Sequence, residues 1–262
     1  MSNRRTMLIT GLAATGALGA PAQGATPMTF VLVHGAWHGG WSWKKVAPGL
    51  RAAGHQVFTP TLTGVGERAH LGRPEIDLDA HVRDITALLE FEDLRDVVLV
   101  GHSYAGMVIT GVAAAAPERL GQLVYLDAFL PEPGKCLNDY VPGFVAQYEK
   151  GVRERGEGWR LPFNDALSLR ALGVTDPTDV AWMTPRMTDQ PYRTFTQGVR
   201  PQPAAAQALR RTYLLSSERP HYLAAAERAR QQGFRVLHVP GAGHDVMVTQ
   251  PRDLVAALLG LG

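Results

Sequence analysis

The chain has 262 residues, 45% of them apolar and 19% charged, with a formal net charge of +2 at neutral pH. That length and apolar content suffice for one large domain with a full core, and they exclude a fibrous or wholly disordered chain. So small a net charge, with no basic run, argues against a nucleic-acid partner, and the single cysteine, Cys136, excludes an intrachain disulfide and a thiolate metal cluster.

Residues 1–25 read as an export signal outside the fold. Arg4-Arg5 precedes an apolar segment, Met7 to Ala20, that is too short and too rich in Gly and Ala to span a membrane, and Ala20-Pro21-Ala22 offers a small-residue cleavage site. The twin arginine is similar to a Tat-type signal, which implies a periplasmic or secreted protein with no stable membrane insertion.

From Met28 the chain alternates strands and helices. Thr29 to Val33 predicts a strand, Trp41 to Ala53 an amphipathic helix closed by Gly54, and Gln56 to Thr59 the next strand. Leu78, Val82, Ile85, Leu88 and Leu89 repeat at helical spacing, and Asp96 to Val100 gives a strand buried on both faces. Strands follow at Leu123 to Leu126, Arg211 to Ser216 and Phe234 to Val239, each separated by helical segments. Six strands with crossover helices predict an α/β fold with a doubly wound, mainly parallel sheet, because parallel neighbours need long connections. The stretch between Asp127 and Arg211 is too long for a crossover, and it carries Phe144, Tyr148, Trp159, Phe163, Trp182, Tyr192 and Phe195. A structureless loop of that length is improbable. Residues 131–208 are therefore expected to form a mainly helical cap inserted before the penultimate strand, over a core built from residues 26–130 and 209–262. The aromatic residues would line an apolar pocket or form the cap's own core.

Ligands of such sheets bind above the carboxyl ends of the strands, and the chemistry-bearing residues gather there. Ser103, in Gly101-His102-Ser103-Tyr104-Ala105-Gly106, falls at a strand-to-helix turn, the position of a nucleophile elbow, although a serine there also serves as a helix cap. The motif departs from G-x-S-x-G by one methyl group, at Ala105. His244, in Gly241-Ala242-Gly243-His244-Asp245 after the last strand, is placed to accept the Ser103 proton. His34 and His102 also end strands, but they stand beside tight turns, where an imidazole more often bonds backbone. His34 and His38 are spaced like helical metal ligands, yet they bracket Gly35 and precede Gly39-Gly40, so no metal is expected. The backbone amides of Ala36, in the loop after the first strand, and of Tyr104 are the natural donors to an oxyanion. The glycines of Gly35 to Gly40 and Gly64 to Gly66 complete no phosphate-binding fingerprint, and no cofactor is implied.

Val31-Leu32-Val33-His34-Gly35-Ala36-Trp37-His38-Gly39-Gly40-Trp41-Ser42-Trp43, with Gly101-His102-Ser103-Tyr104 and Gly243-His244-Asp245, resembles the α/β-hydrolase superfamily. The branch it most resembles holds hydroxynitrile lyases, salicylate methyl ester esterases and pyrethroid-type carboxylesterases, and the likeness runs from about Thr29 to the end, weakest in the cap. It implies an α/β-hydrolase fold and a Ser-His-acid triad with Ser103 as nucleophile and His244 as base. The lyases of that branch carry a threonine after the first motif histidine and a lysine after the catalytic histidine. Here those positions hold Gly35 and Asp245, which disfavours cyanohydrin cleavage. Two acids remain open. In most of the superfamily the acid follows the strand after the cap, where Glu218 lies one residue short of the expected place. Asp127 ends the strand before the cap, the position from which haloalkane dehalogenases of the superfamily supply theirs, and an aspartate ending an apolar strand needs a partner. The expected function is a carboxylesterase acting on a small-molecule ester with an apolar portion, with a lyase or a small-ligand receptor of the same fold as alternatives.

Overall fold

The computed structural model describes residues 26–241 and 243–262, so the export-signal reading of residues 1–25 lies outside the described residues. Among the described residues there are eight strands: β1 (Thr29–Val33), β2 (Gln56–Phe58), β3 (Val97–His102), β4 (Leu120–Leu126), β5 (Arg160–Leu161), β6 (Gln190–Pro191), β7 (Arg210–Leu215) and β8 (Arg235–His238). Six of them form one sheet in the order β2-β1-β3-β4-β7-β8, and every pairing is parallel. The sheet is therefore doubly wound, as expected. β3 lies at its centre with all six residues buried, which is why this segment reads as an unbroken apolar run and not as an alternation.

Helices α1 (Ala47–Ala52), α2 (Leu78–Phe91) and α3 (Ala105–Ala115) follow β1, β2 and β3. The helix expected over Trp41 to Ala53 is broken in two. Gly40–Trp43 forms a single 3-10 turn, and α1 starts only at Ala47 with proline in its first turn. Pro48 has no N–H to donate four residues back, so one α-helix cannot run through it, although Trp43, Val46, Ala47 and Leu50 all face the core.

The connection from β4 to β7 carries α4 (Pro142–Arg155), α5 (Phe163–Ala166), α6 (Pro177–Met183), α7 (Arg193–Thr196) and α8 (Ala204–Gln207). It also carries an antiparallel ribbon, β5 with β6, which was not expected because two-residue strands leave no periodic trace. The ribbon is stitched to the loop after β1. The Trp37 indole donates to the Leu161 carbonyl (2.9 Å), the Trp37 N–H donates to Gln190 Oε1 (3.0 Å), and the Thr188 N–H donates to the Trp37 carbonyl (3.1 Å). Helix α9 (Pro220–Gln231) joins β7 to β8, and α10 (Val246–Thr249) and α11 (Pro251–Leu259) close the chain. Among the described residues no helix is long and apolar enough to cross a membrane.

Candidate active site

Ser103 follows β3 with φ at +56°, in the left-handed region that residues other than glycine seldom adopt. Its backbone is clamped there: the N–H donates to the Leu126 carbonyl (3.2 Å), and its carbonyl accepts from the Gly106 N–H (3.1 Å) and the Phe129 N–H (3.1 Å). The tight approach has a sequence cause. A Cβ on Gly106 would collide with the Phe129 carbonyl, and one on Gly101 would sit 2.7 Å from the Ala105 carbonyl oxygen. Ala105, where the motif departs from glycine, is fully buried within the turn, so the extra methyl is accommodated.

His244 is delivered by the loop after β8. Gly243, with φ at +71°, passes so close to Gly173 that a side chain on either would strike the other backbone, and the His244 N–H donates to the Leu172 carbonyl (2.9 Å). The imidazole's Nδ1 lies 2.7 Å from Asp127 Oδ2. Asp127 is fully buried, just beyond β4, and its carboxylate accepts from the Ser216 N–H (3.1 Å), the Ser217 N–H (3.0 Å) and the Ser217 hydroxyl (2.5 Å). Burial alone would raise its pKa. The His244 hydrogen bond and charge, with the two serine contacts, outweigh burial and hold it below the usual carboxylate range. An ionised carboxylate only accepts, so His244 donates through Nδ1, and in the neutral form of the ring Nε2 is the acceptor. Glu218 is exposed, and the carboxylate facing His244 is that of Asp127.

The remaining histidines take other places. His34 Nε2 accepts from the Leu62 N–H (3.1 Å) and its Nδ1 donates to the Gly35 carbonyl (2.8 Å). His102 Nε2 donates to the His244 carbonyl (3.0 Å), bracing the loop that carries the base. His38 Nε2 lies 3.4 Å from Asp245, whose carboxylate is fully buried. Burial pushes the Asp245 pKa up, but the His38 charge and hydrogen bond, with His102 and His244 behind them, bring it down to about 2. Asp245 is therefore an anion held behind the site.

Burial drives the pKa of His34 down to about 3, so it folds neutral, whereas in the unfolded chain it titrates near 6.5. A lowered folded pKa gives stability that is complete above the unfolded value and drains away on acidification toward the folded one. Stability measured by denaturant unfolding is thus expected to fall between pH 6.5 and 3. The share from His34 alone would reach about 4–5 kcal/mol by that relation, and a flat profile across the window would contradict this.

Ala36 and Tyr104 are both buried and line an inner cavity of about 40 Å³ together with Ser103. Among the described residues neither backbone N–H is taken by a backbone carbonyl outside the regular elements. The cavity shares Val141, Phe144, Leu167, Arg219 and His221 with an outer groove of about 920 Å³. Of the aromatic residues between β4 and β7, Phe129, Phe144, Tyr148 and Phe195 face this cavity, while Trp182 packs edge-on against Trp41 (5.3 Å between ring centroids) away from it.

One functional neighbour was absent from the sequence reading. Tyr222, on the first turn of α9, sets its hydroxyl 3.2 Å from Ser103 Oγ and 3.4 Å from His244 Nε2. A tyrosine near a helix start carries no local signal of this, since only the fold brings it beside Ser103. Ser217 and Gln190, which hold Asp127 and Trp37, were likewise missed. Chemically, the arrangement offers a hydroxyl on a left-handed turn, an imidazole held by a buried carboxylate through Nδ1, and Ala36 and Tyr104 lining the same cavity.

A profile of the α/β-hydrolase family matches residues 30–258, and the chain belongs to that family. Within it, this is a hydrolase, and the relatives it is similar to include an esterase, a hydroxynitrile lyase and methylesterases. A carbendazim-hydrolysing esterase of Nocardioides sp. (strain SG-4G) is 39% identical over 245 residues, covering 89% of this chain and 99% of that one. An α-hydroxynitrile lyase of Arabidopsis thaliana is 27% identical over 245 residues, covering 87% and 95%. The fold is shared with a solved extracellular α/β-hydrolase from a Paenibacillus species, with a TM-score of 0.75 and 22% identity over 90% of this chain and 99% of that one.

Proposed function

We propose that the chain hydrolyses carboxylic esters, and bonds of the same acyl–oxygen kind, through an acyl-enzyme on Ser103. The observation that carries this reading is the run from Asp127 Oδ2 to His244 Nδ1 (2.7 Å), with His244 Nε2 and Ser103 Oγ lying 3.4 Å and 3.2 Å from one hydroxyl, that of Tyr222. Ser103 Oγ attacks the carbonyl carbon as its proton passes to His244. The carbonyl oxygen becomes an oxyanion facing the Ala36 and Tyr104 N–H groups, and collapse expels the alcohol with the proton returned by His244. Water repeats the cycle on the acyl-serine. Asp127 acts by holding the imidazole's tautomer and stabilising its cation.

The esterase among the relatives supports this chemistry, and two residues weigh against a cyanohydrin lyase. A side chain at Gly35 would meet His102 Nδ1 at 2.9 Å and Ser103 Cβ at 3.0 Å, so a threonine hydroxyl does not fit there. Asp245 is an anion paired with His38, where those lyases need a cation.

The small inner cavity and the larger apolar groove outside it support a substrate with a compact group at the reacting bond and an apolar body beyond it. A panel of p-nitrophenyl and methyl esters graded by acyl and alcohol size tests this. The expected result is a kcat/KM that rises with apolar bulk on one side of the bond and falls when both sides are bulky. Equal rates across the panel, or no hydrolysis with stoichiometric binding, would contradict it, and the latter would favour a ligand receptor.

A further inference from the structure

Between the serine and the imidazole stands a second hydroxyl. Tyr222 Oη lies 3.2 Å from Ser103 Oγ and 3.4 Å from His244 Nε2. The direction of both bonds is set from the far end. Asp127, ionised, can only accept, so His244 Nδ1 carries the hydrogen and Nε2 presents a lone pair. The Tyr222 O–H is the donor available to that lone pair, which leaves the Tyr222 oxygen to accept from the Ser103 O–H.

The phenol is not free to swing away. Its ring runs parallel to the His244 imidazole, 4.8 Å between centroids and 7° between planes. Phe129 meets it edge-on at 5.4 Å and His221 at 4.1 Å from other sides, and the residue is 3% exposed. Pro220 opens α9 within its first turn, and the Tyr222 N–H donates to the Arg219 carbonyl (3.0 Å), so the backbone beneath the ring is fixed as well.

We infer that Tyr222 is a further catalytic residue, a hydroxyl relay that carries the Ser103 proton to His244, an inference that rests on the serine-hydrolase reading above. As Ser103 Oγ bonds to the substrate carbon, the carbonyl π pair moves onto oxygen. The serine proton passes to Tyr222 Oη while the proton already on Tyr222 passes to His244 Nε2. When the intermediate collapses, the imidazolium gives its proton back through Tyr222 to the leaving alkoxide, and tyrosine ends as it began. Burial raises the phenol's pKa, so a tyrosinate does not form on the way and the two transfers proceed together.

Coupled transfer leaves a mark that a merely structural tyrosine would not. In mixtures of light and heavy water, kcat for p-nitrophenyl butyrate by the unmodified enzyme is expected to curve with deuterium fraction as two protons in flight require. Tyr222→Phe, which keeps the ring and its stacking, is expected to lower kcat by about 10²–10³-fold and to leave a straight, one-proton dependence. A linear dependence in the unmodified enzyme overturns the relay, as does Tyr222→Phe with kcat within threefold of it or with unchanged curvature. Ser103→Ala run alongside separates the failures. If it is inactive while Tyr222→Phe is unaffected, only the relay is wrong, and if it keeps its activity, the serine mechanism beneath it is wrong too.

Discussion

Ser103→Ala is expected to lower kcat for an activated ester by about 10⁵-fold or more while the thermal unfolding midpoint shifts by no more than a few degrees. Ser103 stands at the end of the central strand, with Ala36 and Tyr104 lining the inner cavity beside it. The hydroxyl beside it, that of Tyr222, is held by a ring parallel to His244 and remains protonated, so it does not replace the serine as nucleophile. Alanine relieves none of the packing around the turn and removes only the hydroxyl, and the small residual rate would come from the cavity and its donors. A variant retaining more than about a hundredth of the rate would place the nucleophile elsewhere.

Asp127→Asn comes next in expected effect, a fall of about 10⁴-fold in kcat. Asparagine keeps the shape but can turn its NH₂ toward His244 Nδ1, which moves the imidazole hydrogen to Nε2 and removes the base. It also removes the Oδ2 acceptor that now takes the Ser217 hydroxyl, while the amide oxygen left in the Oδ1 position still accepts from the Ser216 and Ser217 N–H groups. Glu218→Gln, at an exposed position one residue further along the same loop, is expected to stay within twofold. Steady-state kinetics on the two variants decides between the two acids: similar small losses in both would mean that neither serves His244.

The sheet was legible because parallel strands buried on both faces must be apolar runs, and Val97 to Val100, Leu123 to Leu126 and Thr29 to Val33 are such runs. The helix after β1 was misread because the periodicity of Trp43, Val46 and Leu50 reports which side faces the core and not whether the hydrogen-bond ladder is continuous, which Pro48 decides. For the site, glycine spacing and the strand-to-helix switch mark Ser103, and the glycines of the last loop mark His244. The two acids could not be separated by pattern, since each follows a strand at the same edge of the sheet. The cost of burying Asp127's charge pointed to a partner, and only the fold shows that the partner is an imidazole. Tyr222 was beyond reach for a related reason: it is 119 residues from Ser103 in the chain and meets it only through the stacking of α9's first turn on the histidine loop.

The export segment, read from Arg4-Arg5 and the residues after it, stands apart from this chemistry, and we propose that it directs the folded enzyme out of the cytoplasm. The inner site needs no partner from that segment, since every group named in the mechanism lies between Ala36 and His244.

The most direct measurement is mass spectrometry of the enzyme quenched during turnover of a slowly deacylating ester, followed by peptide mapping. A covalent acyl group on the peptide bearing Ser103, formed as fast as the first equivalent of alcohol is released and lost at the rate of steady turnover, is the predicted result. Steady hydrolysis with no acylated peptide, or with the acyl group on another residue, would contradict it.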